Sequence, residues 1–143
     1  MSARVSRAES ESERAQARAI RHAVFVVEQA VPVEVEVDGL DEACDHYLAW
    51  FGGEPVATLR TRRTSQGYKI ERVAVRSEHR GSNVGRALVL TVLESAPAGA
   101  TVYVHAQASA LGFWQRVGFV AHGPSFEEGG IAHRLMQLGP AAA

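Results

Sequence analysis

Apolar residues change their spacing several times along the chain, and each change marks an element. Ser10 and Glu13 stand three apart, as a capping box requires. Behind them Ile20, Ala23, Val24 and Val27 fall at i, i+3, i+4 and i+7, one stripe of a helix. Pro32 should end that helix. Upstream, Ala3 to Ala8 is a short candidate strand. Val31 to Asp38 alternates Val with Glu or Asp, which by period alone reads as a strand. The acidic continuation through Asp45 reads equally as a loop. His46 to Phe51 and Pro55 to Thr61 flank Gly52-Gly53, the pattern of a hairpin. Tyr68 to Val75 is a further strand, and Val84 to about Ala96 a helix stopped by Pro97 and Gly99. Thr101 to Ala106 follows as a strand. Ala110, Phe113, Trp114 and Val117 form a second helical stripe, with Gly118 as its C-terminal cap. Phe119 to His122 and Ile131 to Leu138 close the chain as two strands around a loop with Pro124 and Gly129-Gly130. The order β-α-(loop)-β-β-β-α-β-α-β-β predicts an α/β (α+β) fold, a mixed sheet with helices on both faces.

Composition narrows the function classes. With 143 residues, 46% hydrophobic and 22% charged, the chain suits one soluble domain, residues 1–143, with a real core. A net charge of −1 gives no footprint for nucleic acid or a membrane surface. Cys44 is alone, so no intrachain disulfide can form. No run approaches the roughly 18 apolar residues of a membrane span, and no signal peptide is visible. The cytoplasm is the default location. The histidines and Cys44 lack metal-ligand spacing, so no metal is expected.

One segment carries chemistry. The strand ending at Val75 runs through Arg76-Ser77-Glu78-His79 into Arg80-Gly81-Ser82-Asn83-Val84-Gly85-Arg86, a glycine-punctuated turn that opens a helix. A helix start offers backbone N–H groups without intrahelical partners and the positive end of the helix dipole. Gly81 and Gly85 allow close backbone approach, and Arg80 and Arg86 add charge. Such a turn suits a phosphate-bearing ligand. No Lys-Ser/Thr follows the last glycine, which excludes a Walker loop, and the three-glycine dinucleotide spacing is absent.

The turn resembles the pyrophosphate-binding motif of the GNAT superfamily of acyl-CoA N-acyltransferases, R/Q-x-x-G-x-G/A, with Asn83 where a glycine is usual. Asn is the non-glycine residue best suited to a left-handed backbone, so the turn can survive. Over nearly its full length the chain also resembles the YjcF/ElaA-like acetyltransferases. The matching blocks are Arg21 to Gln29 with Val31-Pro32, Glu36-Val37-Asp38 with Asp41, His46, Ala57 to Arg60 and Ile70 to Val75. Ala106-Gln107, Gly118-Phe119, and Phe126 to Ile131 with His133 complete them. The resemblance implies a GNAT-type sheet in which two parallel strands, Tyr68–Val75 and Thr101–Ala106, splay apart around acetyl-CoA. Pantetheine would pair with the backbone of Val73, Ala74 and Val75, and pyrophosphate would sit on Gly81 to Arg86, with Arg80 and Phe113 beside the ligand. Glu28, Gln29, His46, Arg60, Glu127 and His133 would line the acceptor pocket. A homodimer is left open.

Transfer of acetyl from a thioester to an amine needs a neutral amine, yet a lysine-like amine has a pKa of about 10. A base is therefore useful, and a backbone N–H near Val75 could hold the oxyanion. Alternation predicts Lys69, Glu71, Val73 and Val75 on one strand face, which makes Glu71 a candidate base or amine anchor. His105, at the end of the neighbouring strand, is the second candidate. Tyr103 shares its face and could donate a proton. Many GNAT enzymes carry Tyr after Phe in the helix before Gly-Phe; here the pair is Phe113-Trp114. An indole N–H has no useful acidity, so packing is the expected role of Trp114. The acidic stretch Glu34 to Asp45 suggests a cationic small-molecule amine. A protein amine, or a catalytically weak acyl-CoA-binding module, stands as the alternative.

Overall fold

The computed structural model describes residues 3–139. Its elements are β1 (Arg4–Arg7), α1 (Glu11–Arg21), α2 (Val33–Glu36), β2 (Asp45–Phe51), β3 (Glu54–Thr64) and β4 (Gly67–Val75), then α3 (Val84–Glu94), β5 (Val102–Gln107), α4 (Leu111–Val117), β6 (Phe119–Glu128) and β7 (Ile131–Leu138). One seven-stranded sheet runs in the order β1-β2-β3-β4-β5-β7-β6. All neighbours are antiparallel except β4 and β5.

Helices cover both faces because the strands alternate two apolar sets. Tyr47, Ala49, Leu59, Ile70, Val104 and Met136 face Leu88, Val89 and Val92 of α3 and Trp114 of α4. Leu48 and Ala74, on the opposite face, meet Ala17 and Ile20 of α1 and the following Val24. Burial of such side chains supplies about 1.5–3 kcal/mol each relative to exposure. The capping box forms, with Glu13 N–H donating to Ser10 Oγ at 3.0 Å.

Four expectations change. The first helix continues past Arg21 as a π-helical segment, His22–Glu28, in which the Gln29 N–H donates to the Val24 carbonyl. The wider turn rotates later residues off the stripe, so Val27 is 69% exposed while Ile20 and Val24 are buried. Val31 to Asp38 is no strand: Pro32 caps the short helix Val33–Glu36, whose valines face outward while Glu36 is buried. β3 extends to Thr64 and forms a second hairpin with β4. β6 runs to Glu128, with an irregularity between His122 and Phe126 where a loop was expected.

The site arises where β4 leaves β5. Their pairing lasts for two positions, Tyr68↔Val102 and Lys69↔Tyr103. Gly67 permits that approach: a Cβ there would lie 2.2 Å from the Thr101 carbonyl oxygen. Past Lys69 the strands separate. In β4 two residues, Arg72 and Val73, oppose the single Leu59 of β3, and Arg72 has φ +56°. This bulge bends β4 and reverses its alternation. Glu71 therefore shares a face with Arg60 and Ala74, opposite to Val73 and Val75, which corrects the four-residue face expected from strict alternation.

Candidate active site

A cleft of about 640 Å³ opens between the diverging ends of β4 and β5. One end is built mostly from backbone. Val73, Ala74, Val75, Arg80, Gly85 and Phe113 line it, as does Trp114. Asn83 has φ +65° and caps α3 without a side-chain hydrogen bond, while Gly81 has φ +82°. The left-handed turn thus leaves the first α3 N–H groups without a side-chain cap, as anion binding requires. A Cβ on Gly85 would lie 3.3 Å from Val75 Cγ2 and 3.7 Å from a Phe113 ring carbon, so glycine keeps helix and strand close. Gly81, Ser82, Asn83 and Arg86 are exposed beside the cleft, whereas the Val84 side chain belongs to the core. Arg80 donates to the Val75 carbonyl at 3.0 Å and pairs with Glu28 at 2.8 Å.

The other end is built from charged side chains. Glu71 contacts Arg60 at 2.9 Å, Arg62 at 2.7 Å and Lys69 at 3.0 Å. Burial pushes its carboxyl up, but the three cations outweigh it and hold the pKa down at about 2. Arg60, 0% exposed, also binds Asp38 and Asp41, and Arg21 binds Asp41 and Glu36. Arg72 closes the network on Asp38 at 3.2 Å. Here the expectations divide. Gln29 and His133 line the cleft, but His46, Arg60 and Glu28 do not. His46 is buried with Nε2 2.9 Å from the Asp41 carbonyl oxygen, Arg60 is enclosed by its carboxylates, and Glu28 is occupied by Arg80. Glu127 is exposed away from the cleft, and Glu128 takes its place. Within the acidic segment, Glu36, Asp38 and Asp41 are bound to arginines, whereas Glu34 and Glu42 are exposed.

His105 lies on the cleft wall with Nδ1 3.0 Å from Glu128 Oε1, and His133 Nε2 lies 3.9 Å from Glu128 Oε2. Lys69, Arg62, Arg72 and Glu128 are lining residues that the sequence did not single out. The nearness of Lys69 to Glu71 was visible as an i, i+2 pair on one strand face. Glu128 gave no such signal, since the irregularity after His122 hides its side. Trp114 is buried, edge-on to Phe113 at 5.2 Å and to Phe119 at 5.0 Å, consistent with packing. Among the described residues no group of three or more His, Cys, Asp or Glu is placed to hold a metal ion, and no helix is long and apolar enough to cross a membrane.

A strand pair that splays over a glycine turn at a helix start is the arrangement expected of acyl-CoA binding. The profile of the acetyltransferase (GNAT) domain matches residues 8–139. The chain belongs to the GNAT acetyltransferase family. This GNAT chain is 36% identical over 121 residues to the uncharacterized N-acetyltransferase YjcF of Bacillus subtilis, covering 82% of this chain and 86% of that protein. It is 37% identical over 122 residues to the protein ElaA of Escherichia coli, covering 80% and 79%. Among solved structures, an acyl-CoA N-acyltransferase from Pseudomonas aeruginosa superposes with a TM-score of 0.84 at 32% identity, covering 96% of this chain and 99% of that one.

Proposed function

We propose that this GNAT chain transfers acetyl from acetyl-CoA to a primary amine of a small molecule, by direct attack while both are bound. The observation that carries the reading is one continuous cleft, running from Arg80 and Gly85, which flank the left-handed turn, to His105. The acyl donor fits the backbone end. β4 beyond Lys69 has no pairing with β5, so its edge from Val73 to Val75 can pair with a pantetheine amide. The α3 start, with Gly81, Ser82, Asn83, Val84, Gly85 and Arg86, would take the pyrophosphate, and Phe113 would flank the arm. The acyl-CoA N-acyltransferase named above supports an acyl-CoA donor.

A small acceptor suits the opposite end. Val35 of α2 and Gly129 of the β6–β7 turn meet above the cleft, where a Cβ on Gly129 would lie 3.3 Å from Val35 Cγ1. Gln29, linked to Gln107 at 2.9 Å, and His133 line the cleft and would contact the acceptor. The amine nitrogen bonds to the thioester carbonyl carbon, the C–S bond breaks, and the amine gives up its proton. His105 is the group we assign to receive that proton. Glu71, with its pKa near 2 and three cations around it, is a weak base. Its proposed role is to fix Arg62 and Lys69 along the wall. A lone Cys44 suits a reaction in the cytoplasm.

The test is thiol release from acetyl-CoA in the presence of spermidine, glucosamine, tyramine or lysine methyl ester, with an amide product identified by mass. Acetyl-CoA and CoA should each raise the melting temperature by linkage. A melting shift without thiol release from any amine would instead mark a binding module, and the absence of both would remove the acyl-CoA reading.

A further inference from the structure

His105 on β5 and His133 on β7 flank one carboxylate, that of Glu128 at the end of β6. His133 Nδ1 lies 2.7 Å from the Ile131 carbonyl oxygen, which can only accept, so that nitrogen carries a proton. The same logic applies to His105. Its Nδ1 is 3.0 Å from Glu128 Oε1, and an ionised carboxylate accepts but does not donate. The hydrogen bond from His105 holds the Glu128 carboxyl below its usual range, with burial acting the other way. His105 Nδ1 is thus the donor, and in the neutral ring the lone pair falls on Nε2. Phe126 stands edge-on to the ring at 5.1 Å and Tyr103 is tilted against it at 5.9 Å, so two aromatic rings pack on the imidazole. All three polar residues line the same cleft.

We propose that Glu128 is a positioning residue for amine acetylation, fixing His105 with its Nε2 lone pair toward the acceptor and stabilising the imidazolium that forms. The inference rests on the transferase reading above. As the neutral amine nitrogen bonds to the carbonyl carbon, its proton passes to His105 Nε2. The C–S electron pair leaves on sulfur, and the imidazolium proton goes on to the departing thiolate or to water. Amine and thioester become amide and thiol, with no oxidant or further reactant. The titratable groups around the imidazole are Tyr103 of β5, in ring contact with it, and Glu128 of β6, His133 of β7, and Lys69 with Glu71 of β4, which line the same cleft.

Nitrogen-15 imidazole spectra of the full chain, assigned with His105→Ala, read the tautomer without any substrate. The Nδ1–H form is expected for His105. Glu128→Gln should mix the tautomers of that ring. In thiol release with the amine panel, Glu128→Gln should lower kcat at pH 7 about tenfold or more, with the KM for acetyl-CoA unchanged within about twofold. A purely structural Glu128 would not move the tautomer. An Nε2–H tautomer in the wild type, or an active wild type matched by Glu128→Gln in kcat and pH profile, overturns the inference while leaving the transferase reading intact. A wild type inert toward every amine overturns both.

Discussion

The two ends of the cleft are made from different material. Between Val73 and Arg86 the chain uses backbone: a strand edge without a partner, two left-handed residues at Gly81 and Asn83, and the first turn of α3. Between Arg60 and Arg72, and across to Asp38, it uses buried ion pairs in which Arg60 alone meets Asp38, Asp41 and Glu71. A backbone site tolerates side-chain change as long as the turn geometry survives. A side-chain site depends on every partner, because one left unpaired is a buried charge without compensation. The first end suits a constant ligand. The second sets the shape of the charged end, and there the loss of one residue propagates.

The difference can be broken most forcefully at Arg60. Arg60→Ala should cost about 3 kcal/mol in urea unfolding, the lower end for a broken buried pair, since Asp38, Asp41 and Glu71 lose their shared buried cation but keep Arg72, Arg21, and Arg62 with Lys69. A cost below about 1 kcal/mol would show that the network is only a solvated surface cluster. Acid should dismantle the same end. Burial pushes up the carboxyls of Asp38, Asp41 and Glu71, but their arginine and lysine partners prevail and hold each at about 2, against ordinary values of 3.8, 3.8 and 4.5. Folded-state values below the unfolded ones mean that this stabilisation is complete above about pH 4.5 and is lost as pH falls toward 2. The melting temperature should stay level from pH 7 to 5 and drop steeply below 4.5; a level profile down to pH 3 would contradict the network.

At the backbone end, Gly85→Asp should abolish most of the thermal shift from CoA. That shift corresponds to about 2.7 kcal/mol at a hundredfold excess over Kd. The new side chain would press on Val75 and Phe113 and set a negative charge beside the phosphate turn. Retention of the shift would place the ligand elsewhere. Smallest is Asn83. Asn83→Gly should leave stability and the CoA shift nearly unchanged, whereas Asn83→Val should cost about 1–2 kcal/mol, because φ +65° crowds a branched side chain. Equal behaviour of the two variants would show that the left-handed turn is not needed.

What the sequence by itself determined is what neighbours in the chain determine. The turn at Arg80 to Gly85, the capping box at Ser10, the β2–β3 hairpin, the stop of α3 before Pro97 and Gly99 and the apolar stripe of α4 are all local, and each was legible in spacing and residue type. So was the family resemblance, which the profile match over residues 8–139 shows. Tertiary structure decided the rest. The alternation of β4 predicts Glu71 beside Val73, but the bulge at Arg72 reverses the face, and its cause is pairing with β3. Val31 to Asp38 has the period of a strand, yet Glu36 and Asp38 turn toward Arg21, Arg60 and Arg72, which lie far away in sequence. Glu128 meets His105 only because β7 lies between β5 and β6 in the sheet. Backbone preferences act between adjacent residues and leave a local trace, whereas buried charges choose partners by proximity after folding, and that choice leaves none.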